Sequence, residues 1–168
     1  MSLQIIMKLD GVNGDSSSFK HKSWSDLLNW NWGMTSNRKS GAQSDTTNTT
    51  LNEMSVVKEI GNDSASLRLL FAQGKIIPFA EFCIFPKVGK REPQSNYLNI
   101  RLENVMIKSI VTGGGNEDDF FKEHLTLLFE KVKFEYNRST KIEEDGSFPP
   151  GKEIDFEWDI PANEEWQH

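Results

Sequence analysis

The chain has 168 residues and a net charge of −6, with 36% hydrophobic and 26% charged residues. This composition is typical of a folded globular domain that can bury a core without disulfides or metal ions. The acidic balance argues against binding to nucleic acid, which requires a basic face. No apolar run reaches the roughly eighteen residues of a membrane-spanning helix. We therefore predict one domain over residues 1–168, with no nucleic acid partner and no membrane insertion.

The first 33 residues predict two strands. Residues 3–9 form a short apolar run that ends at an Asp-Gly turn, and a polar crossing leads to a second strand at residues 25–33. In that second strand Leu28, Trp30 and Trp32 share one face. Two indoles on one face are a large apolar load for a small domain. They line either a core or subunit interface, which is the commoner use, or a ligand pocket.

A long polar segment, residues 34–50, follows the second strand. It is rich in Ser, Thr and Asn, contains Arg38 and has no apolar periodicity, so we predict a loop. Loops of this length in a compact domain are usually either functional or disordered. The segment is therefore either an excursion without a role or an arm that docks on another subunit. Residues 51–60 then return to the alternation of a strand.

One helix is predicted after residue 60. Asp63 or Ser64 can serve as its N-cap, and Gly74 stands where a glycine commonly ends a helix. The apolar residues at helical spacing between these ends are Leu67, Leu70 and Phe71. We expect these three side chains to form the buried stripe of the helix.

The run at residues 79–85 is apolar on both strand faces, with Phe82 and Ile84 on one face and Cys83 on the other. A strand on the outside of a monomer alternates with polar residues, whereas a strand that is covered on both sides need not. Because the chain has no second domain to supply this cover, the pattern predicts that a neighbouring subunit packs against the strand.

Two longer strands change the parity of their apolar residues part-way along. In residues 97–111, and again in residues 124–136, the apolar positions move from one parity to the other. Such a change requires an extra residue, which produces a β-bulge and a bend. Two bent strands predict a strongly curled sheet or a barrel. Residues 112–119, between them, are predicted to form an exposed turn, and the C-terminal strand and tail occupy residues 152–168.

We predict no catalytic residue, no cofactor and no metal site. The residues that could be imagined as a metal set, or as a nucleophile with its base, are Cys83, His21, His124 and His168. Their spacings match no compact zinc pattern, and a thiol among phenylalanines in mid-strand is usually inert packing. The acidic residues 117–119 lack the alternating ligands of a calcium loop, and the three glycines before them lack the lysine of a phosphate loop.

Six short motifs occur in an order and at spacings that are typical of one family. They are Lys8 to Gly11, Leu28 to Met34, Leu67 to Lys75, Thr112 to Gly114, Glu123 to Val132 and Trp158 to Ile160. Each motif alone has little specificity. Together, over about residues 3–163, they resemble the haemolysin-coregulated protein (Hcp) family, whose members form the tube of type VI secretion systems.

The resemblance implies a mainly β fold, a β-barrel of two curled antiparallel sheets with one short α-helix at the side. It implies a structural function and no enzymatic activity: six copies form a ring, and rings stack into a tube that carries effector proteins in its lumen. The implied partners are further copies of the chain, the sheath and spike components of the secretion system, and effector proteins as cargo. The implied localisation is the bacterial cytoplasm during assembly, followed by secretion without a signal peptide.

The residues that we predict to take part in assembly are Trp30, Trp32, Arg38, Phe82 and Ile84. With the resemblance, residues 34–50 favour docking on the next subunit or ring. The alternative function is a monomeric β-barrel that binds a small ligand in its interior. The two apolar faces of residues 79–86 favour the tube subunit, and no carboxylate spacing supports a hydrolase.

Overall fold

The structure is a computed structural model that describes residues 3–18, 21–36, 49–51, 53–87, 98–137 and 153–166. The strands in this part of the chain are β1 (Leu3–Leu9), β2 (Ser25–Asp26), β3 (Asn29–Asn31), β4 (Met34–Ser36), β5 (Thr49–Leu51), β6 (Met54–Glu59), β7 (Ile77–Pro86), β8 (Leu98–Gly113), β9 (Lys122–Leu128), β10 (Lys131–Asn137) and β11 (Glu153–Asp159), and the helix is α1 (Ser64–Gln73). Within these ranges no helix has the length and hydropathy that a membrane crossing requires.

Two antiparallel sheets share strand β8, which confirms the predicted fold class. In the first sheet the strand order is β2-β1-β7-β8-β10-β11. In the second sheet it is β3-β6-β9-β8. The first half of β8 pairs with β7 and β10, and its second half pairs with β9. One long strand therefore passes from one sheet into the other, as a curled barrel requires.

The segment that contains β2 and β3 joins the two ends of this arrangement. Strand β2 pairs with β1 of the first sheet, and β3 pairs with β6 of the second sheet. Between them, the Leu27 N–H donates to the carbonyl of Ile5 at 2.9 Å, and the Leu28 N–H donates to the carbonyl of Val57 at 2.7 Å. Backbone hydrogen bonds therefore continue around the barrel through one short stretch of chain.

The same segment corrects one prediction, since residues 25–33 do not form a single strand. The strand breaks at the point where the chain changes its partner from β1 to β6. Across the break Leu27 is buried, whereas Leu28 is 44% exposed. Trp30 and Trp32 both pack against the core. The predicted shared face of Leu28 with the two indoles is wrong, because the break interrupts the alternation of side chains.

Both predicted parity changes are present and lie opposite each other, but residues 124–136 form two strands, β9 and β10, and not the single bent strand predicted. In β8 the buried positions change from Leu102 to Val105, and between them Asn104 has φ = +53°. On the neighbouring strands the chain breaks between β9 and β10, where the Glu130 N–H donates to the carbonyl of Glu103 at 3.0 Å. The Asn104 side-chain amide donates to the Glu130 carboxylate at 2.8 Å. The buried and exposed faces therefore exchange at the same position on β8 and on the neighbouring β9–β10 segment. The sheet bends at this position while its pairing continues.

Helix α1 begins and ends where the sequence predicts. Gly74 has φ = +61°, and the N–H groups of Gly74 and Lys75 donate to the carbonyls of Phe71 and Leu70 at 3.1 and 3.2 Å. This is a Schellman motif, and it requires a residue that tolerates the left-handed region. Leu67 is fully buried, but Phe71 is 44% exposed. The buried stripe is therefore narrower than predicted.

The crossing between β1 and β2 is held by a short hydrogen-bond cluster. The Asp26 carboxylate accepts from the Ser16 hydroxyl at 2.6 Å and from the N–H and hydroxyl of Ser17 at 2.9 Å each. Burial raises the pKa of the Asp26 carboxyl, but these hydrogen bonds outweigh burial and hold the pKa below its usual value. The crossing is thereby fixed over the outer face of the first sheet.

Strand β7 is covered on both faces by its own chain. Phe82 and Ile84 point into the main core and are 1% and 2% exposed. On the other face Cys83 and Phe85 form a small cluster, against which Trp24 of the crossing packs. The prediction that this strand needs a neighbouring subunit for cover is therefore wrong, because a non-local segment of the same chain supplies the cover.

The predicted loop at residues 34–50 is replaced at both ends by strand. Strands β4 and β5 pair with each other, with Met34 opposite Leu51 and Ser36 opposite Thr49. The residues between them, including Arg38, lie outside the described ranges. The predicted strand at residues 3–9 and the C-terminal strand are confirmed. The strand predicted at residues 51–60 is confirmed for β6 alone, because Leu51 belongs to β5. The exposed turn predicted at residues 112–119 begins only at Gly114, because β8 extends to Gly113.

Phe82 offers a test of this core. Phe82→Ala should lower the free energy of unfolding by about 3–5 kcal/mol, because it removes a buried ring and leaves a cavity. The control is Leu69→Ala, since the Leu69 side chain on α1 is 58% exposed and its removal should cost only about 0.5 kcal/mol. Urea unfolding monitored by tryptophan fluorescence measures both changes. Equal losses would contradict the position of Phe82 in the core of one chain.

Candidate functional site

The structure does not bring the five predicted assembly residues together on one surface. Phe82 and Ile84 are buried in the core of the single chain. Trp30 and Trp32 are half-buried against the same core from another strand. Arg38 lies outside the described residues. A direct contact with a second subunit is therefore open only to the exposed parts of the two indoles and, as a prediction, to Arg38.

Trp32 fixes the chain after β3 against strand β10. Its indole lies 6.4 Å from the ring of Phe129 and 6.1 Å from the ring of Phe134, measured between ring centroids. Such aromatic pairs stabilise by about 0.5–1.5 kcal/mol beyond the area that they bury. The buried Trp32 Nε1 has no hydrogen-bond partner within the described ranges. The ring therefore acts here as apolar packing.

Several apolar side chains that the sequence analysis did not single out are exposed. Val111 is 60% exposed although it shares its parity with the buried residues Val105 and Ile107. The pairing register shifts between Ile107 and Ser109, and this irregularity turns the following side chains over. The sequence signal for the exposure of Val111 would have been a second parity change within β8. The register shift at Ile107 and Ser109 follows the bend at Asn104 so closely that the sequence pattern does not separate the two.

Two pairs of exposed apolar residues are neighbours in the structure. Met106 and Leu128 are direct cross-strand neighbours on β8 and β9, and they are 39% and 40% exposed. Ile60 and Phe121 are 45% and 57% exposed, and the Ile60 N–H donates to the Phe121 carbonyl at 3.1 Å. Contiguous exposed apolar groups often mark contact surfaces.

A buried group of charges lies where α1 meets the barrel. We call Lys58, Asp63, Ser64, Arg68 and Glu123 the anchor cluster. Lys58 and Glu123 face each other directly across β6 and β9, and they are 2% and 0% exposed. Lys58 Nζ lies 2.9 Å from Glu123 Oε2 and 2.9 Å from Asp63 Oδ1. Charges at this depth are tolerated because each has a partner of opposite sign.

Residues of α1 complete the anchor cluster. The Ser64 hydroxyl donates to Glu123 Oε2 at 3.0 Å, and Arg68 Nη1 donates to Glu123 Oε1 at 2.6 Å. Asp63 stands at the N-cap position, but its carboxylate makes no capping hydrogen bond. It instead accepts a hydrogen bond from the hydroxyl of Ser25 on β2. One buried network therefore ties the helix to strands β2, β6 and β9.

The electrostatics of the anchor cluster suit a structural role. Burial raises the pKa of the Glu123 carboxyl, but hydrogen bonds from Lys58, Arg68 and Ser64 outweigh burial. Its pKa is therefore below the usual value, and Glu123 is ionised at neutral pH. A carboxylate whose oxygens are occupied by two cations and a hydroxyl is not available as a general base.

A polar groove of about 330 Å³ lies on the outer face of the first sheet, beside His21 and Trp24. Glu81 forms an ion pair with Arg101, and Lys133 lies 2.7 Å from Glu135, so the charges of the groove are paired within the chain. The rings of His21 and Trp24 meet edge to face, with their centroids 4.8 Å apart.

Cys83 also lines this groove. Burial, together with the nearby charge of Glu81, raises the pKa of the Cys83 thiol to about 12. The thiol is therefore protonated at neutral pH, which disfavours it as a nucleophile. In the described part of the chain, no three His, Cys, Asp or Glu side chains are placed to hold a metal ion.

Comparison with known proteins identifies the family. The family model described as type VI secretion system effector, Hcp, matches residues 6–136. The chain belongs to the Hcp family of type VI secretion proteins. The protein hcp1 of Pseudomonas aeruginosa is 28% identical over 165 residues, which cover 97% of this chain and 98% of that protein. The Hcp resemblance of the sequence is thereby confirmed.

Solved structures of the Hcp family share this fold. A structure of a type six secretion system protein superimposes with a TM-score of 0.84 at 24% identity, covering 98% of this chain and 100% of the other. Hcp1 from Salmonella typhimurium gives a TM-score of 0.78 at 24% identity, covering 99% and 100%. The Hcp family is structural, which agrees with the saturated charges of the anchor cluster.

The anchor cluster makes the free energy of unfolding of this Hcp-family chain depend on pH. The folded-state pKa of Glu123 is lowered, so its contribution is present above the unfolded-state pKa of about 4.3 and is lost as the pH falls through the folded-state pKa. Glu123→Gln should lower the free energy of unfolding by about 3 kcal/mol at pH 7, because Lys58 and Arg68 then lose the carboxylate that they share and Lys58 keeps only Asp63. The difference from wild type should shrink below about pH 4.

Glu59→Gln is the control for this change. Glu59 lies next to Lys58 on the same strand, but its side chain is exposed. We expect a change within about 0.5 kcal/mol at every pH. Urea unfolding of the three proteins between pH 3 and 8 measures both effects. A constant difference between Glu123→Gln and wild type over this range would contradict the linkage.

Proposed function

We propose that this chain forms closed rings of six subunits that stack into the inner tube of a type VI secretion system. The observation that carries the proposal is the match to the Hcp family over most of the chain. The contiguous apolar pairs Met106–Leu128 and Ile60–Phe121 support it, because a subunit that buries them against its neighbours explains their exposure here. Contacts between unlike surfaces generate rings when the rotation closes.

The tube carries effector proteins in its lumen, with sheath and spike components as further partners. A ring presents the same lumen surface six times, so many weak contacts can hold a small protein through effective concentration. Each subunit assembles in the bacterial cytoplasm and leaves the cell as part of the tube. None of these steps requires a catalytic group, a metal or a cofactor.

The segment between β4 and β5 contacts the next ring. The pairing of β4 with β5 holds the two ends of the segment beside each other. The sequence between them is polar and includes Arg38. Because this stretch adds no large apolar side chain to the core, its proposed role is contact between rings rather than the fold of one subunit.

The native mass of the purified protein tests the ring. Light scattering after size exclusion at micromolar concentration should give six times the 19.2 kDa mass of the chain. His21→Ala and His124→Ala should leave this mass and secretion unchanged, because the proposal gives neither imidazole a chemical role. A monomer at every concentration would contradict the ring and favour the ligand-binding barrel. Loss of secretion in a histidine variant that still forms rings would favour a chemical function.

Replacement of residues 38–48 by a short Gly-Ser linker tests the contact between rings. The free energy of unfolding should change by no more than about 1 kcal/mol, because the pairing of β4 with β5 is retained. The native mass of the ring should also be retained, whereas tubes seen by electron microscopy, and secretion, should be lost. The control is the same replacement at residues 114–119, an exposed turn. An unfolded product would show that the segment belongs to the core.

A further inference from the structure

The acidity of this protein is concentrated at its C-terminal end. Residues 143–168 contain nine Asp and Glu and one Lys, a charge of −8, whereas the whole chain carries −6. The rest of the chain is therefore slightly basic. The described part of this acidic end is β11 and the turn that follows it. Such a charge separation attracts a basic partner to one side of the molecule.

A groove of about 280 Å³ runs along this acidic strand. Its lining residues are Asp155, Phe156, Glu157, Trp158 and Glu165. The first four are consecutive residues of one strand, so their side chains point alternately to opposite faces. Glu165 lines the groove as well, and the bridge between Asp159 and Glu164 brings this end of the chain beside the edge of β11 that faces away from β10, so the groove lies along that edge. The opposite edge of β11 is paired with β10.

The backbone at this edge is oriented toward the groove. The Asp159 N–H donates to the Glu164 carbonyl at 2.9 Å, and the Glu164 N–H donates back to Asp159 at 3.3 Å, so the backbone groups of Asp159 point away from β10. The register with β10 is continuous along the strand. Because the backbone direction alternates with a period of two residues, the backbone of Asp155 also points into the groove.

The two sides of the groove differ in chemistry. On the inner face the rings of Phe156 and Trp158 are stacked, with centroids 6.3 Å apart and planes 8° from parallel. Asp155 lies on the opposite face of β11, and Glu165 lines the groove beyond the strand; neither pairs with a cation among the residues that the structure describes. The cross-strand neighbour of Asp155 is Glu135, which is also acidic. Unpaired carboxylates beside an aromatic surface suit cationic side chains.

We propose that the edge of β11 binds an extended, basic segment of a partner protein, which adds to the sheet as a further strand. Strand addition supplies backbone hydrogen bonds, and alternate side chains supply the specificity. One parity of the incoming strand meets Asp155, the other meets Phe156 and Trp158, and Glu165 adds a further carboxylate to the lining of the groove. The recognised pattern is therefore Lys or Arg alternating with apolar residues. This inference goes beyond ring assembly and does not depend on it.

The probe is a fluorescently labelled peptide with the sequence Val-Lys-Val-Lys-Val-Lys-Val. Its matched control, Val-Val-Lys-Lys-Lys-Val-Val, has the same composition and charge but no alternation. Fluorescence anisotropy with the full chain should show at least about tenfold weaker binding of the control. The affinity for the alternating peptide should fall with added salt, because the carboxylates are exposed. Equal affinities for the two peptides would overturn strand addition.

Protein variants separate charge from backbone pairing. The double variant Asp155→Asn, Glu165→Gln should bind the alternating peptide about tenfold more weakly. Its control is Glu117→Gln, Asp119→Asn, which removes two exposed carboxylates from a distant turn and should bind like wild type. Asp155→Pro removes an N–H that faces the groove, a change that an edge strand tolerates. The Asp155→Pro variant should bind the alternating peptide more weakly than the Asp155→Asn variant does. Circular dichroism should show the same strand content for both variants.

The native mass of each sample distinguishes this inference from ring assembly. Unchanged affinity in the double variant and in Asp155→Pro would overturn the inference, whatever the mass. If wild type fails to bind the peptide and Asp155→Pro lowers the native mass, the edge of β11 pairs with a second copy, which also overturns it. Rings that bind the alternating peptide support both proposals. A monomer that binds this peptide supports the edge site and contradicts the ring alone.

Discussion

The fold depends on one constraint: β8 and its neighbours must exchange their buried and exposed faces at the same position along the sheet. On β8 the change occurs at Asn104, whose backbone adopts a positive φ. Opposite it, the chain breaks at Glu130, and the two side chains are hydrogen-bonded to each other. Since both partners change faces together, their pairing continues while the sheet bends. One strand can therefore serve two sheets, and both sheets direct their apolar faces to a single core.

The single described helix depends on charge as much as on apolar packing. Leu67 is the one residue of α1 that is buried completely in the main core. Next to it, Glu123 receives hydrogen bonds from a lysine of β6 and from Ser64 and Arg68 of the helix. Buried ion pairs of this kind contribute little net stability compared with apolar residues, but removing one partner is costly. They therefore fix where the helix lies.

The buried charges of the anchor cluster already have partners within the chain, and this bears on function. The buried charges are used to hold elements together, and the Cys83 thiol is kept protonated by burial. What the chain offers to other molecules is surface: exposed apolar pairs on and beside the second sheet, and an acidic edge at β11. These are features of a protein that acts by contact. This agrees with its membership of a structural secretion family.

Local patterns in the sequence determined the fold class, the two parity changes and the helix with its Gly74 terminus. These depend on neighbouring residues, whose spacing fixes which side of an element is apolar. The tertiary structure alone decided what covers each face. Trp24 covers β7 from a distant crossing, and Lys58 meets Glu123 across 65 positions of sequence. The exposure of Val111 follows from a shift in pairing. Such contacts arise only when remote segments meet, so periodicity along the chain carries no record of them.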